Sequence, residues 1–565
     1  MNSKRNKQSP RGQWTSCCGP APATAGQISG KATARTKLVD PPPGKKNLVL
    51  AFPPYTHAIS PPLGVCSLAG HVRRELPDWK VSVVDLNLEW HQTFFAELGK
   101  PIRPNTVAMD QATLRYSPQV FLRGDPEDFY NHSRYLYFAQ AWARAMTNTQ
   151  FHRTTLEPAF HSGNMPEHIV RHATLILQRR PSIVGISVCY TQQYWYAMCL
   201  AKEIARRSDV PIVMGGSSFN DVVSPELISG PRVADYVVVG AGEIPLVEIL
   251  KGQADSEQIA GVVRIRNGKA TACPAVYDLD LDSLGQPDFS DLDLVRYYSP
   301  EPILPILTSR GCYWHKCAFC NHFKGSGEIY QRRSISAVID ELRTHVSAGV
   351  RNFYLADSVV SPSRFGKLAD AILESGLSIR YYAMARMEKA FDRDLLCRIY
   401  RSGCKFILWG LESGNQRVLN IMNKGTTVDD AERILSLAAE VGLRNHVFTI
   451  CGFPTETEDE YDDTLDLLRR NKKHIAVVHR CVFTLEASSP VQLNPQRFSI
   501  TQMWRKTTPH IFDFACSTGM DRTRAQEVFV AARPFLRSFS GDPSLGGDFK
   551  FREHCLLHYS HADSQ

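Results

Sequence analysis

Pro305-Ile-Leu-Thr-Ser-Arg-Gly-Cys312-Tyr-Trp-His-Lys-Cys317-Ala-Phe-Cys320-Asn-His322 is the stretch on which the reading of this chain turns. Three cysteines at spacing C-x4-C-x2-C follow an apolar, strand-like run and an Arg-Gly turn. Thiolates on one short loop can hold three corners of a cubane iron–sulfur cluster and leave the fourth iron open to a small chelating molecule. Phe319, inside the C-x2-C pair, is placed to pack beside that molecule. The same loop admits a structural zinc ion, with His322 or His315 completing a tetrahedron. Small buried cysteines are a poor account of three thiols in nine residues on a polar, glycine-led loop.

Upstream, short apolar runs alternate with helical patterns. Asn47-Leu-Val-Leu-Ala-Phe52 and Lys80-Val-Ser-Val-Val-Asp85 read as strands, with Pro61-Pro62-Leu63-Gly64 opening a helix between them. Residues 91–180 carry aromatic, Arg- and His-rich helical patterns and read as a helical insertion. Alternation resumes with Ser182-Ile-Val-Gly-Ile-Ser187, a helix from Tyr194 to Arg207, Pro211-Ile-Val-Met-Gly215-Gly216 and Asp235-Tyr-Val-Val-Val-Gly240-Ala-Gly242-Glu243. Continuous apolar strands separated by helices predict a parallel sheet covered on both faces. Ligands of such sheets sit at the carboxyl ends of the strands, where these glycine turns fall. A linker over 251–304 holds a hairpin signal at Gly261–Gly268.

Downstream, Ser334 begins a helix whose apolar residues Ile335, Val338, Ile339, Leu342 and Val346 share one face, closed by Gly349. Strand-like runs recur at Asn352–Ala356, Ile379–Met384, Phe406–Trp409, His446–Ile450 and Val477–Leu485. With the run before Cys312 they make six βα units over 305–495, a partial (β/α)8 barrel with its function at the strand ends. Those ends carry Asp357, Arg386, Gly410-Leu-Glu412-Ser413 and Gly452-Phe-Pro454. Carboxylates and hydroxyls there suit a ribose diol, and an arginine fork suits a carboxylate. Each also has a duller reading: a turn or cap for Asp357, a mutual ion pair for Arg386 and Glu412, a plain turn for Gly452. One shared ligand would explain the whole set. Residues 496–565 show one helical run, Arg524–Phe535, with His554, His558 and His561 near the end, and read as a C-terminal cap, lying on the surface or, in the sharper reading, closing the barrel mouth and helping to select substrate.

On these residues the cysteine loop resembles that of the radical S-adenosylmethionine (SAM) enzymes, with one residue more than the family's usual C-x3-C-x2-C. The strand-end turns over 46–250 resemble the cobalamin-binding domain that precedes the radical domain in one subclass of that family. The resemblance implies a Rossmann-like, doubly wound sheet followed by a partial (β/α)6 TIM-type barrel. It implies a [4Fe-4S] cluster on Cys312, Cys317 and Cys320, and SAM held by Phe319, Asp357, Arg386, Gly410, Glu412, Ser413, Gly452 and Pro454. Gly410–Ser413 matches the family's ribose element and Gly452–Pro454 its adenine element, whereas Ala356-Asp357-Ser358 replaces the usual Gly-Gly-Glu. Cobalamin is assigned to Pro62, Leu63, Gly64, Ser187, Gly215, Gly216, Gly240, Gly242 and Glu243. The D-x-H-x-x-G pattern of an axial histidine is missing, since Tyr55 and Ser60 flank His57, so His57 is not expected to ligate cobalt. The implied reaction is methylation of an unactivated carbon in a natural-product or peptide substrate, with flavodoxin or ferredoxin as electron donor. Rearrangement, cyclisation or epimerisation would use the same cofactors. The reading from another class is a non-catalytic zinc protein whose basic tail binds nucleic acid.

Composition bounds these readings. At 565 residues the chain has room for three or four domains, and 43% hydrophobic with 22% charged residues is ordinary for a globular protein. The net charge is +8, and no Asp or Glu precedes Asp40. Residues 1–45 therefore read as a basic, disordered tail. No apolar run approaches the ~20 residues that span a bilayer. Fifteen cysteines without a regular framework suit a reducing compartment. A cytoplasmic protein without membrane or nucleic-acid partners is expected.

Overall fold

The computed structural model describes residues 46–54, 57–102, 104, 107–108, 110–147, 153–219, 227, 232–252, 259–266, 269–322, 329–505, 511–539 and 551–565. The tail expected over 1–45 lies outside them.

The first sheet has seven strands in the order β2-β1-β3-β4-β5-β6-β7. These are β1 (Asn47–Phe52), β2 (Lys80–Asp85), β3 (Ile183–Ser187), β4 (Ile212–Gly215), β5 (Tyr236–Val238), β6 (Val262–Arg266) and β7 (Lys269–Ala272). β1 to β5 are parallel. Their continuous apolar character follows from double coverage. Leu48, Leu50, Val213 and Val238 pack with the helix Leu63–Glu75, whereas Val49, Ala51, Val184, Ile186 and Met214 pack with the helix Tyr194–Arg207. The hairpin foreseen in the 251–304 connection forms, but as β6 and β7, antiparallel to β5 at the sheet edge. Five helices between Leu86 and Leu177 occupy the expected insertion.

The second sheet has six parallel strands in the order β15-β14-β13-β12-β11-β8. They are β8 (Ile303–Ile306), β11 (Asn352–Leu355), β12 (Arg380–Arg386), β13 (Cys404–Glu412), β14 (Arg444–Cys451) and β15 (Ile475–Val482), with a short antiparallel pair, β9 (Ser309–Arg310) and β10 (Gln331–Arg332), between β8 and β11. Neighbours in space are neighbours in sequence, the order of a partial barrel wound one βα unit at a time. Alternation along each strand sorts the faces. Tyr381, Ala383, Ile407, Trp409 and Val447 point to the outer helices, while Tyr382, Phe406, Leu408 and Val477 point inward.

The C-terminal region departs from the expected surface cap. β17 (Ile500–Arg505) and β18 (Ile511–Cys516) form an antiparallel hairpin that also pairs with β16 (Leu485–Glu486). The helix Arg552–Ala562 is core: His554, Cys555, Leu556 and Leu557 are buried against Tyr382, Phe406 and Leu408 inside the barrel and against Phe121 and Trp142 of the insertion. Aromatic and histidine spacing hid this apolar face, because His554 becomes a core residue only once Tyr135 and the Tyr298 carbonyl satisfy both its nitrogens, at 2.9 and 2.7 Å. Among the described residues, no helix is long and apolar enough to cross a membrane.

Candidate active site

The cysteine loop leaves β8 from a rigid base. Asp357, fully buried beyond β11, accepts from the Thr308 amide at 2.9 Å, the Thr308 hydroxyl at 2.8 Å and the Ser309 hydroxyl. The Arg364 guanidinium donates to the Thr308 carbonyl at 2.6 Å. Asp357 thus secures the start of the loop, a role different from the turn or cap raised for it. The extra residue in C-x4-C is absorbed at His315, whose left-handed φ of +42° turns the chain so that its amide faces the Cys312 sulfur at 3.5 Å. The ring of exposed His315 returns to the Cys312 carbonyl at 3.3 Å. Cys317 is buried, and Cys312 and Cys320 are partly so. Burial pushes the Cys317 thiol up and the Cys320 thiol up to about 12, with Cys312 adding to the first and Cys317 and Cys312 to the second. Among the described residues, no three His, Cys, Asp or Glu side chains gather around one point as a single ion requires. A cubane distributes its thiolates over separate irons, and three thiols on one loop with buried cations behind them suit it.

Of those cations, Arg386 was expected and Lys424 was not. Lys424, buried just past the short helix Gln416–Ile421 that follows β13, donates to Glu412 at 2.8 Å, and its ammonium lies 5.7 Å from the Phe319 ring. Burial alone would lower the Lys424 ammonium, but the adjacent Glu412 carboxylate holds it above its usual range. Arg386 is also buried. It stacks 4.0 Å from the Trp314 ring, donates to Glu388 at 2.9 Å and to the Lys424 carbonyl, and has its Nε unpartnered. The proposed Arg386–Glu412 pair is therefore replaced by two others, Arg386–Glu388 and Lys424–Glu412. A lysine twelve residues past its partner carried no legible motif.

Gly410 and Glu412 flank a register shift where β13 pairs with β14, and Glu412 takes a left-handed φ of +68°. A Cβ on Gly410 would meet Lys424 Nζ at 2.6 Å and Glu412 Oε1 at 2.7 Å, so glycine leaves room for the ion pair. Ser413 is buried, its hydroxyl 3.3 Å from that of Thr464. Gly452, at φ +76°, donates its amide to Glu456 at 2.6 Å, and buried Pro454 follows in the same turn. Burial pushes the Glu456 carboxyl up to about 8. Phe319 packs against the cluster containing Ile450 and Phe453. The structure thus gathers Phe319, Arg386, Gly410 and Glu412 with Cys317, while the side chains of Asp357 and Ser413 are engaged in supporting the loops.

On the other sheet, order 2-1-3-4-5 reverses direction between β1 and β3, the switch point where such sheets bind ligands. Pro62 precedes the helix that starts at Leu63. A Cβ on Gly64 would meet only Ser187 Oγ and Cys189 Sγ at 3.8 Å, and one on Gly215 only Val238 at 3.4 and 3.5 Å. The protein's own packing therefore does not demand glycine at either place, and both leave a bare surface beside Ser187, suited to a flat macrocycle. Gly216 differs: at φ +109° its missing Cβ would lie 2.5 Å from the Val188 carbonyl, so it serves a backbone crossing. Tyr277 covers Gly240, and Gly242 packs toward Leu68. Gln193, fully buried and unforeseen, ties the Pro53 carbonyl to the Cys189 amide at 2.7 and 2.8 Å and holds the β1 and β3 loops together. His57 packs edge-on against Phe551 and Trp142, with ring centroids 4.3 and 5.6 Å away.

Glu243 requires a correction of role. It is buried, and it pairs with Arg310 of the cysteine loop through two hydrogen bonds, one of 3.1 Å. Burial acts to raise its carboxyl, yet Arg310 holds it below the usual range. The carboxylate expected on cobalamin instead joins the end of β5 to the end of β8.

Residues 140–250 match the B12 binding domain, and residues 306–468 match the radical SAM superfamily, in that order. The chain carries a B12-binding domain followed by a radical SAM domain. Its cofactors are those of the two families: cobalamin, and a [4Fe-4S] cluster with SAM. An uncharacterized methyltransferase of Pyrococcus horikoshii is 26% identical over 53% of this chain and 66% of its own length. An anaerobic magnesium-protoporphyrin IX monomethyl ester cyclase of Rubrivivax gelatinosus is 26% identical over 51% and 54%. The chain thus spans between about half and two thirds of the length of these curated relatives. Among solved structures, the radical SAM methyltransferase TsrM from Kitasatospora setae, with cobalamin and a [4Fe-4S] cluster bound, has a TM-score of 0.56 at 18% identity, over 80% of this chain and 75% of its own. The cobalamin-dependent SAM radical enzyme OxsB has a TM-score of 0.57 at 14% identity, over 86% and 66%. At these identities both support the fold.

Proposed function

We propose that this B12-binding radical SAM protein methylates an unactivated carbon of a natural-product or peptide substrate. The observation that carries this reading is the Glu243–Arg310 pair, which joins the carboxyl ends of the two sheets. The surfaces suited to cobalamin and to SAM thereby open on one space. When bound, the cluster with SAM supplies hydrogen abstraction and cobalamin supplies a methyl group. Cys312, Cys317 and Cys320 would hold the cluster, and the buried cations Lys424 and Arg386 would offset its thiolate charge. Glu412, with Gly410 leaving room for its pairing with Lys424, would meet the ribose, Gly452–Pro454 the adenine, and Gly64, Ser187 and Gly215 the corrin face. His57, packed edge-on against Phe551 and Trp142, would take no part in holding cobalamin. A flavodoxin or ferredoxin would deliver the electrons.

Purification with hydroxocobalamin and anaerobic cluster reconstitution tests the proposal. Corrin absorbance and about four irons per chain are expected, with no iron retained and no SAM cleavage in a triple Cys312→Ala, Cys317→Ala, Cys320→Ala variant. Incubation with substrate should yield S-adenosylhomocysteine and a product heavier by one methylene. 5′-Deoxyadenosine without S-adenosylhomocysteine would favour rearrangement or cyclisation, the reading that the cyclase relative supports. A wild type that takes up no cobalamin would overturn both.

A further inference from the structure

The inside of the barrel is filled only in part. Toward the amino ends of the strands, Tyr382, Phe406 and His446 are buried and stacked, Tyr382 on Phe406 at 4.5 Å and Phe406 on His446 at 4.3 Å. Toward the carboxyl ends, the inward residues Met384, Phe448 and His479 are only partly buried. Phe448 lies opposite Gly410, which in turn lies opposite Arg386, so this upper layer is level with the candidate SAM site. A chamber therefore opens above an aromatic floor. Tyr354 flanks the floor, and its hydroxyl meets Ser60 from the β1 loop of the B12-binding sheet.

The helix Arg552–Ala562 delivers two charged side chains to this chamber. Arg552 reaches the wall, its guanidinium 5.0 Å from the Phe448 ring. Glu553 accepts from the Tyr382 hydroxyl at 3.3 Å. Both are partly buried, and among the described residues neither side chain forms an ion pair and the Arg552 guanidinium forms no hydrogen bond. Arg310, Arg364 and Arg386 nearby all have oxygen partners. A guanidinium that is partly desolvated with five unused donors calls for an anion. The single cation, with a carboxylate beside it, suits one negative charge better than two.

Resting on the reading that the chamber is the substrate site, we propose that Arg552 and Glu553 anchor the substrate. Arg552 takes a substrate carboxylate through its planar fork, and Glu553 accepts from an N–H or O–H donor of the same molecule. Phe448, Met384 and Tyr354 line the space for an apolar or aromatic body between this anchor and the SAM site.

Binding of benzoate to the cobalamin-loaded full chain, measured by calorimetry, tests the anchor without any radical step. Benzoate should bind saturably, benzamide at least tenfold more weakly, and phenylphosphonate more weakly than benzoate. Arg552→Met should weaken benzoate about tenfold while corrin uptake, the check on folding, is unchanged, and Arg552→Lys should lie between. Glu553→Gln should tighten benzoate and narrow its lead over phenylphosphonate. No saturable binding to wild type, equal binding of benzamide, or benzoate affinity unmoved by Arg552→Met would overturn the proposal. Loss of SAM cleavage or of methyl transfer would count against the methyltransferase reading alone, since benzoate binding needs neither.

Discussion

Lys424 and Glu412 show how much of this site rests on a single buried contact. Both side chains are at least nine-tenths buried, the ammonium is 2.8 Å from the carboxylate, and Glu412 holds an uncommon left-handed backbone to make the contact. Removing one partner of a buried pair leaves the other charge uncompensated and costs about 3–5 kcal/mol. Lys424→Met should therefore lower unfolding stability by about that amount in guanidinium titrations, and the Lys424→Met/Glu412→Leu double variant should recover most of it. A double variant no more stable than the single one would show that the pair is not the source. Histidines carry the opposite strategy. His554 is fully buried and burial pulls its imidazole down to about 3, well under the ~6.5 of an unfolded chain. Its folded-state pKa is depressed, so the unfolded chain takes up the proton first. The neutral ring's contribution is full above pH 6.5 and is lost as pH falls below it. The stability advantage of wild type over His554→Gln should thus shrink by about 1.4 kcal/mol per pH unit below ~6.5 and stay constant above it. Urea titrations at pH 7.5, 6.5 and 5.5 would read the slope, and a constant gap would contradict it.

At the level of the element, glycines at neighbouring strand ends do different work. Gly215 closes β4 where a Cβ would make only ordinary contact with Val238, whereas Gly216 lies under the Val188 backbone. Gly215→Val should leave a folded protein with an assembled cluster and no corrin absorbance after loading. Gly216→Ala should damage folding itself, because the left-handed φ and the 2.5 Å approach allow no Cβ. Circular dichroism melting beside corrin absorbance separates the two outcomes. Equal cobalamin uptake by Gly215→Val and wild type would remove the basis for the site. The same lesson holds in the cysteine loop, where the residue added to the usual spacing is accommodated by His315 in a left-handed turn.

At the scale of the molecule, the two sheets are joined at their carboxyl ends and closed from within. Arg73 on the Leu63–Glu75 helix pairs with Asp288 and Asp291 at 2.5 and 2.7 Å, clasping the segment that leads into β8. Asp288 and Asp291 lie in the linker over 251–304, and their role emerges only when that stretch folds back on the helix. The C-terminal helix fills the lower barrel and contacts the insertion, so one element seals the floor and sets the chamber's polarity.

The strands and their order were legible because their cause is local. Six apolar runs spaced by one-faced helices can bury both faces only as a parallel sheet, and short connections place successive strands side by side. The cysteine loop was legible for the same reason, since three thiols in nine residues need no distant partner to be read. The partners of Glu243, Glu412 and Arg386 were not legible. Arg310 lies 67 residues from Glu243, and a charge pair at that separation is decided by where the loops meet. The C-terminal helix was misread as surface because its buried face is built from His554, Cys555 and Leu556 beside Arg552 and Glu553. Residues of mixed polarity take their place from the cavity they enter, and only the tertiary structure supplies that cavity.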